Sequence, residues 1–179
     1  TDYNVSPNQI LAITFTNKAA GEIKKRLLEK LPQSKVETQT FHGFGLSVLR
    51  RYAIELNRKF PFKIIDADEQ LDIIEKLLPG QRKLIKKALK QIESYKQGLD
   101  SSDSVEGFNS FFYGESLEKN NAFDLQDLIY LPVKLWQKRP DILAQYKGRY
   151  KYILVDEFQD INPRQYELLK MLSGYKTAN

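Results

Sequence analysis

Short apolar runs alternate with amphipathic stretches near both ends of the chain. The runs ILAITF at residues 10–15 and YILV at residues 152–155 are continuous and rich in branched side chains. This pattern is typical of parallel strands that are buried on both faces. The segment VETQTF, residues 36–41, predicts a further strand between them. We therefore expect an α/β fold that is built on a parallel sheet.

Helical spacing follows each of these strands. After the first strand, apolar residues recur every three or four positions up to Leu31, and Thr16 or Asn17 is the candidate N-cap. A second helix is predicted from about residue 43 to residue 56. The last helix has a cap, a proline in its first turn, a capping-box glutamine and a terminal glycine, which are Asn162, Pro163, Gln165 and Gly174.

The middle of the chain has a different pattern. From residue 60 to residue 121 the segments DEQLDIIEKLL and QRKLIKKALKQIESYKQ are strongly helical, and no strand pattern of any strength occurs. The segment GLDSSDSVEG, residues 98–107, predicts a loop. We expect an all-helical insert at residues 60–121 between two parts of one α/β domain, residues 1–59 and 122–179. In the second part, FDLQDLIYLPVKLWQ predicts a helix that is bent or interrupted at Pro132.

Composition narrows the class of protein. With 179 residues, 41% of them hydrophobic, the chain can form one core, or one core and a smaller lobe. The absence of cysteine excludes disulfides, thiolate zinc sites and cysteine nucleophiles. No apolar stretch approaches the roughly 20 residues that span a bilayer, and no signal-peptide pattern opens the chain. We expect a cytoplasmic protein with no membrane partner, and the first residue, Thr1, leads us to expect a fragment of a longer chain.

The net charge is +5, and the basic residues are clustered. Three groups stand out, which are Lys24, Lys25 and Arg26, then Arg50 and Arg51, and finally Arg82, Lys83, Lys86, Lys87 and Lys90. Such clusters suit a polyanion, because each neutralised phosphate releases condensed counterions. Solvated helix faces give the same pattern, so charge alone leaves both interpretations open.

Two carboxylates directly follow the apolar run at residues 152–155. Asp156 and Glu157 therefore lie at the carboxyl end of a predicted parallel strand, where such sheets bind ligands. Adjacent carboxylates in this position can hold Mg²⁺ and polarise a water molecule, as nucleotide hydrolases require. An acidic surface turn without a ligand is the alternative, because many surface strands end in acidic residues.

The ends of the other two strands resemble one another. TFTNKAA at residues 14–20 and TFHGFG at residues 40–45 each place threonine and phenylalanine before a polar or basic residue. Exposed aromatic rings beside hydrogen-bond donors can stack on unpaired bases. Core packing is the alternative for Phe15 and Phe41. For the single histidine, His42, phosphate contact and helix capping both stay open.

Four segments, in this order, resemble consecutive motifs of the UvrD/Rep/PcrA family of superfamily one DNA helicases. ILAITFTNKAAGEIKKRL resembles motif Ia and TFHGFGLSVLRRYA resembles motif Ib. NAFDLQDLIYLPVKLW resembles the segment commonly written Asp-Phe-Asp-Asp-Leu, and YKYILVDEFQDINPRQYELLKML resembles motif II. The resemblance implies a partial RecA-like parallel sheet with flanking helices, interrupted by the family's accessory helical subdomain.

The resemblance also implies roles for individual residues. Asp156 would coordinate Mg²⁺ through water and Glu157 would activate the hydrolytic water, with Gln159, Asp160 and Gln165 supporting the ATP site. The segments that line the single-strand DNA path would be Thr14, Phe15, Thr16, Asn17, Lys18, Thr40, Phe41 and His42. The accessory subdomain lies near duplex DNA in the family, so its possible contacts are Lys83, Lys86, Lys87 and Lys90.

The sequence departs from the family pattern in ways that limit these expectations. Gln126 replaces a common acidic residue in FDLQDL, and we assign that segment no catalytic role. No Gly-x-x-x-x-Gly-Lys-Ser/Thr occurs, so the loop that would cradle the phosphates of ATP is missing. We expect the chain to be inactive as an ATPase by itself and to self-associate through an exposed sheet edge.

The sequence is compatible with three interpretations of the parent protein. The first is an ATP-dependent helicase that translocates on single-stranded DNA and unwinds duplex during replication or repair. The second is a non-catalytic module that binds single-stranded DNA or has a regulatory role. The third is a subunit of a helicase–nuclease.

Overall fold

The structure is a computed structural model that describes residues 5–99, 105 and 108–174. The strands are β1 (Ile10–Thr14), β2 (Glu37–Thr40), β3 (Lys63–Ile64), β4 (Ala122–Phe123) and β5 (Tyr152–Val155). The helices are α1 (Asn17–Lys30), α2 (Phe41–Tyr52), α3 (Ala67–Leu77), α4 (Arg82–Gln97), α5 (Ser110–Lys119), α6 (Asp127–Lys138), α7 (Pro140–Arg149) and α8 (Pro163–Ser173). Short 3-10 turns lie at Pro7–Gln9, Ile54–Leu56 and Phe158–Asp160. No helix in the described ranges is long and apolar enough to cross a bilayer.

The chain forms two compact units. Unit 1 comprises Thr1–Gly45 and Val133–Asn179, and unit 2 comprises Leu46–Pro132. The chain passes from one unit to the other within helices α2 and α6. These divisions rest on spatial contacts, and the subdomain limits expected from the sequence, residues 60–121, stay a prediction.

Unit 1 contains a three-stranded parallel sheet with the order β2-β1-β5. Strands pair with both edges of the central strand β1, and its residues Leu11 and Ile13 are 0% and 1% exposed. In the register, Thr14 lies opposite Thr40 and Ile13 lies opposite Val155. The expected α/β class, with a partial RecA-like parallel sheet, is confirmed.

The predicted helix boundaries in unit 1 have clear local causes. Thr16 caps α1, since its hydroxyl oxygen accepts a hydrogen bond from the Ala19 N–H at 3.1 Å, and this decides between the two candidate caps. At the start of α8, Asn162 and Gln165 form a complete capping box with both hydrogen bonds at 2.9 Å. Gly174 ends α8 with a φ of +67°, which favours glycine.

A cluster of aromatic rings contributes to the core of unit 1. Phe44 is fully buried, and its ring lies 6.0–6.3 Å from the rings of Trp136, Tyr146 and Tyr150 in edge-on contacts. Two of these partners lie in or directly after α7, a helix that the sequence patterns did not predict. Helix α6 runs through Pro132 without interruption, so of the two alternatives an interrupted helix is wrong.

Unit 2 has a helical core formed by α3, α4 and α5. Its most deeply buried members include Ile74, Ala88, Ile92, Tyr113 and Leu117, all at 1% exposure or less. The strong helical prediction for this region is confirmed, but the absence of strands is wrong. Residues Lys63–Ile64 form β3, which pairs in parallel with β4. Two-residue strands are too short to give a pattern along the sequence. Most of the loop predicted at residues 98–107 lies outside the described residues.

A buried ionic cluster joins the elements of unit 2. The Lys96 ammonium lies 2.7 Å from an Asp124 carboxylate oxygen and 2.6 Å from one of Asp127. The Tyr113 hydroxyl donates a hydrogen bond to Asp124 at 2.8 Å. Each aspartate also accepts a hydrogen bond from the other's backbone N–H. Burial raises the pKa of the Asp127 carboxyl above its usual range, although Lys96 opposes that rise.

This cluster gives the segment FDLQDL a structural role, because Asp124 and Asp127 are 2% and 3% exposed. Replacing Lys96 by Met should lower the free energy of unfolding by about 3–5 kcal/mol, since it leaves two carboxylates buried without their cation. The measurement is urea unfolding followed by far-UV circular dichroism, because the single tryptophan, Trp136, belongs to unit 1.

Lys83→Met is the matched control for this prediction. Lys83 is an exposed lysine on the same helix, so its loss should change the free energy of unfolding by about 0.5 kcal/mol or less. Equal effects from the two substitutions would show that the cluster does not stabilise the unit.

Candidate functional site

The carboxyl ends of β1, β2 and β5 lie at one edge of the unit 1 sheet, because all three strands are parallel. The segments that leave this edge are residues 15–18 after β1, residues 41–43 after β2 and residues 156–160 after β5. Since β1 is central, its segment has each of the other two as a neighbour. The structure therefore brings together the three strand ends from which the sequence predicted chemistry.

Backbone hydrogen bonds fix the acidic segment after β5. The Asp156 N–H donates to the Ile13 carbonyl at 3.0 Å, so Asp156 continues the pairing of β5 with β1. The Asp160 N–H donates to the Glu157 carbonyl at 2.9 Å and closes the short turn Phe158–Asp160. The side-chain amide of Gln159 donates to the Glu157 carboxylate. Both Asp156 and Glu157 are exposed, and their carboxylates are accessible from solvent.

Glu157 has an unusual backbone conformation, with φ 50° and ψ 47° in the left-handed region. Among the described residues, the other non-glycine positions with positive φ are Asn57 and Asn121, and asparagine tolerates this region better than glutamate does. Such strain concentrates at functional sites, where the surrounding structure holds it in place. Here the strand pairing before Glu157 and the tight turn after it impose the conformation.

Asp156 and Glu157 fit the way in which proteins bind Mg²⁺. This ion retains several waters and is held by one or two carboxylates together with phosphates of the substrate. Within the described residues, no group of three or more metal-binding side chains occurs, so a fully protein-built cage is not present there. Two exposed carboxylates match the number of protein ligands that Mg²⁺ uses when substrate phosphates supply others.

The supporting residues named from the sequence lie in two environments. Gln159 and Asp160 are exposed on the turn after Glu157. Gln165 is 6% exposed, and its side-chain oxygen accepts the Asn162 N–H in the capping box of α8. In this arrangement Gln165 shapes the start of α8, and any part it has in an ATP site stays a prediction.

The segment after β1 combines one buried and three exposed polar residues. The Thr14 side chain is fully buried, and its hydroxyl bonds to the backbone of Thr16. Thr16, Asn17 and Lys18 are exposed at the start of α1. Phe15, between them, is half-buried. The exposed donors and a partly accessible ring are thus held on one tight turn.

The segment after β2 is more enclosed. Thr40 is 8% exposed, and its hydroxyl oxygen accepts the Gly43 N–H at 3.0 Å. Phe41 is 1% exposed, and its ring lies 5.6 Å from that of Phe15, which fits the core-packing alternative for Phe41. His42 is half-buried, and burial lowers the pKa of its imidazole, so the ring is neutral near pH 7.

A cavity of about 480 Å³ lies beside Asp156, between β1, β5 and α1. Its lining includes Glu22 and Arg26, which form an ion pair one helical turn apart on α1. The four-residue spacing of this pair is visible in the sequence, but its place in the same cavity lining as Asp156 depends on how α1 packs on the sheet. The sequence patterns therefore missed both residues as neighbours of the acidic segment.

The lysines named as duplex contacts belong to unit 2. Lys83, Lys86, Lys87 and Lys90 are all exposed on α4. They lie outside the buried stripe of that helix, which contains Ile85, Ala88 and Ile92. An exposed basic face is compatible with both alternatives that the charge pattern left open.

Comparisons with known proteins give a consistent result. Residues 1–178 match the family described as the UvrD/REP helicase N-terminal domain. The chain is 35% identical to the ATP-dependent DNA helicase Rep of Buchnera aphidicola over 94% of its length and 28% of that protein. It is 34% identical to the ATP-dependent DNA helicase PcrA of Staphylococcus aureus, over 96% of the chain and 26% of PcrA.

A further relative is the probable DNA helicase II homolog of Mycoplasma capricolum, which is 34% identical over 95% of the chain and 27% of that protein. The chain thus spans about a quarter of the length of the curated relatives that it matches.

The strain at Glu157 predicts an unusual order of stability. Glu157→Gly should be more stable than Glu157→Ala by about 1 kcal/mol, because glycine adopts the left-handed region without the steric cost that alanine has. The measurement is the difference in free energy of unfolding from urea titrations of the two variants.

The same pair of substitutions at Glu29 is the control. Glu29 is exposed on α1, where glycine should be less stable than alanine by about 1 kcal/mol. The order of stability should therefore reverse between the two positions, and the same order at both would exclude strain at Glu157.

Proposed function

Because the chain belongs to the UvrD/REP helicase N-terminal domain family, we propose that it is part of an ATP-dependent DNA helicase. This enzyme translocates on single-stranded DNA and unwinds duplex, in replication or repair and in the cytoplasm. The main support for the proposal is that an acidic segment and a polar, aromatic segment follow adjacent strands at the same edge of the sheet. The exposed carboxylates follow β5, and the exposed polar and aromatic segment follows the adjacent β1.

The acidic segment supplies the hydrolytic half of the proposed ATP site. Asp156 would hold Mg²⁺, and Glu157 would orient the attacking water and accept its proton. Gln159, Asp160 and Gln165 support the site. When bound, Mg²⁺ neutralises charge on the phosphate oxygens of ATP. The left-handed backbone at Glu157 supports the assignment, since it turns the chain sharply at the position of the proposed base.

The polar ends of β1 and β2 supply the proposed single-strand path. Phe15 offers the partly exposed ring on which a base stacks, while Thr16, Asn17 and Lys18 offer donors and charge to the phosphates. His42 offers the path a neutral imidazole that can contact a phosphate. Thr14, Thr40 and Phe41 belong to the same proposed path, and because they are buried we assign them to the layer behind its surface.

The basic face of α4 is the proposed contact with the duplex. Lys83, Lys86, Lys87 and Lys90 are exposed on one helix, and a duplex presents phosphates at a density that such a row can neutralise. These contacts would strengthen binding to a junction without reading its base sequence.

Glu157→Gln in the full-length helicase should abolish ATP hydrolysis stimulated by single-stranded DNA, while nucleotide still binds. The reason is that the amide cannot accept a proton from the attacking water. The measurement is ATP turnover with and without single-stranded DNA, together with nucleotide binding. The 179-residue chain by itself should hydrolyse ATP poorly or not at all, because it lacks a phosphate-binding loop.

Glu29→Gln, an exposed change on α1, is the control and should leave turnover intact. Absence of DNA-stimulated turnover in the wild type, or full turnover in Glu157→Gln, would contradict the motor assignment and favour a non-catalytic DNA-binding module. A nuclease activity in the full-length protein would identify a helicase–nuclease subunit instead.

The chain should also self-associate through β5. In the described part of the chain, β5 pairs with β1 on one side only, and Tyr152 and Leu154 are 50% and 60% exposed. Two copies of β5 can pair antiparallel with Ile153 opposite Leu154. In that register Lys151 of each copy lies opposite Asp156 of the other. The charges along the edge of β5 are therefore complementary between the two copies.

Light scattering of the 179-residue chain should show a dimer at high concentration. Lys151→Glu should weaken it because like charges then face each other, and the double variant Lys151→Glu, Asp156→Lys should restore it. A monomer at all concentrations, or equal dimerisation of the three proteins, would contradict pairing through β5.

A further inference from the structure

We propose that Thr14, Thr40 and Phe41 are positioning residues that fix the ring of Phe15 as the base-stacking surface of the single-strand path. They act from behind the surface and do not themselves touch DNA. The inference rests on the proposed single-strand path and adds which of its residues contact DNA and which only hold the others in place.

The two threonines form a pair in the sheet. Thr14 and Thr40 are the last partners in the register between β1 and β2, and each is followed directly by a phenylalanine. Their side chains are 0% and 8% exposed, so neither hydroxyl can reach a DNA strand that lies outside the sheet edge. Each hydroxyl instead bonds to the backbone of the turn that follows its own strand.

The Thr14 hydroxyl forms two hydrogen bonds across the backbone of Phe15. It donates to the Thr16 carbonyl and accepts from the Thr16 N–H, both at 3.2 Å. These bonds tie the residue before Phe15 to the residue after it. The backbone at Phe15, and with it the direction of its Cα–Cβ bond, is thereby held by a buried side chain.

The Thr40 hydroxyl holds the start of α2 in the same way. It accepts the Gly43 N–H at 3.0 Å. A Cβ added at Gly43 would lie 3.1 Å from this oxygen, closer than most packed atoms, so the approach is tight. Phe41 is therefore fixed as the first residue of α2, with its ring buried.

The Phe41 ring completes the support. It lies 5.6 Å from the Phe15 ring at an angle of 58°, so it packs against part of Phe15 while the remainder of that half-buried ring faces solvent. Contact with a buried ring restricts the rotamers that the Phe15 side chain can adopt before a base arrives. Such preorganisation raises the affinity for a stacked base without any additional contact.

The test compares two single-stranded oligonucleotides, oligo(dT) and the same strand with abasic sites, bound by the 179-residue chain in fluorescence anisotropy titrations. The ratio of the two dissociation constants isolates base stacking from phosphate contact. Loss of one stacked base corresponds to roughly 5- to 150-fold in affinity. Wild type should therefore prefer the intact strand by about fivefold or more.

Thr14→Val and Phe41→Leu should each reduce that preference to below about twofold, while affinity for the abasic strand stays within about twofold of wild type. Thr14→Ser retains the hydroxyl and should keep the preference. Thr38→Val is the matched control, because the Thr38 hydroxyl is buried on β2 without a hydrogen-bond partner in the described structure, and this variant should also keep the preference. Phe15→Leu should by itself lose the preference for the intact strand. The double variant Phe15→Leu, Thr14→Val should show the same preference as Phe15→Leu alone.

The outcomes separate the inference from the proposed function. No binding of either strand by wild type would overturn the single-strand path, and the inference with it. Binding without a preference for intact bases would overturn stacking on Phe15. A wild-type preference that survives in Thr14→Val and Phe41→Leu would overturn the positioning role alone. If Thr14→Val fails to unfold cooperatively on heating, Phe41→Leu decides in its place.

Discussion

Parallel pairing of β1 with both of its neighbours is the constraint on which the rest of the site depends. Parallel strands share one direction, so their carboxyl ends must meet at one edge, and each following segment must begin there. The Asp156 N–H extends this pairing to the Ile13 carbonyl, which places the carboxylates next to the turn after β1. The segments of the proposed nucleotide chemistry and of the proposed DNA contact therefore follow adjacent strands.

Buried polar groups bring rigidity to both units, because each must satisfy its hydrogen bonds in a single geometry. In unit 1 the Thr14 and Thr40 hydroxyls fix two turns, and in unit 2 Lys96 fixes Asp124 and Asp127. The segment FDLQDL shows how a sequence motif can have a structural basis. From the sequence we assigned it no catalytic role, and its two aspartates are buried and paired with a lysine of their own unit.

The proposed DNA surface has two layers. The outer layer consists of Phe15, Thr16, Asn17 and Lys18, which solvent reaches, and the inner layer consists of Thr14, Thr40 and Phe41, which it does not. A motif in a sequence does not distinguish the layers, since both belong to the same short segments. The distinction matters for mutagenesis, because inner residues act on affinity through geometry and outer residues act through contact.

The sequence by itself determined the α/β class, the helices α3 and α4 of unit 2, the capping box of α8, and the family, which four ordered motifs indicated and the match over residues 1–178 confirmed. These features depend on neighbours within a few positions of the chain. Only the tertiary structure decided that Lys96 pairs with Asp124, that Phe41 is buried against Phe15, that Arg26 lines the same cavity as Asp156, and that Glu157 is left-handed. Each of these depends on packing between residues that are distant in sequence, or on a turn that the elements on both of its sides constrain. Local sequence patterns indicate neither.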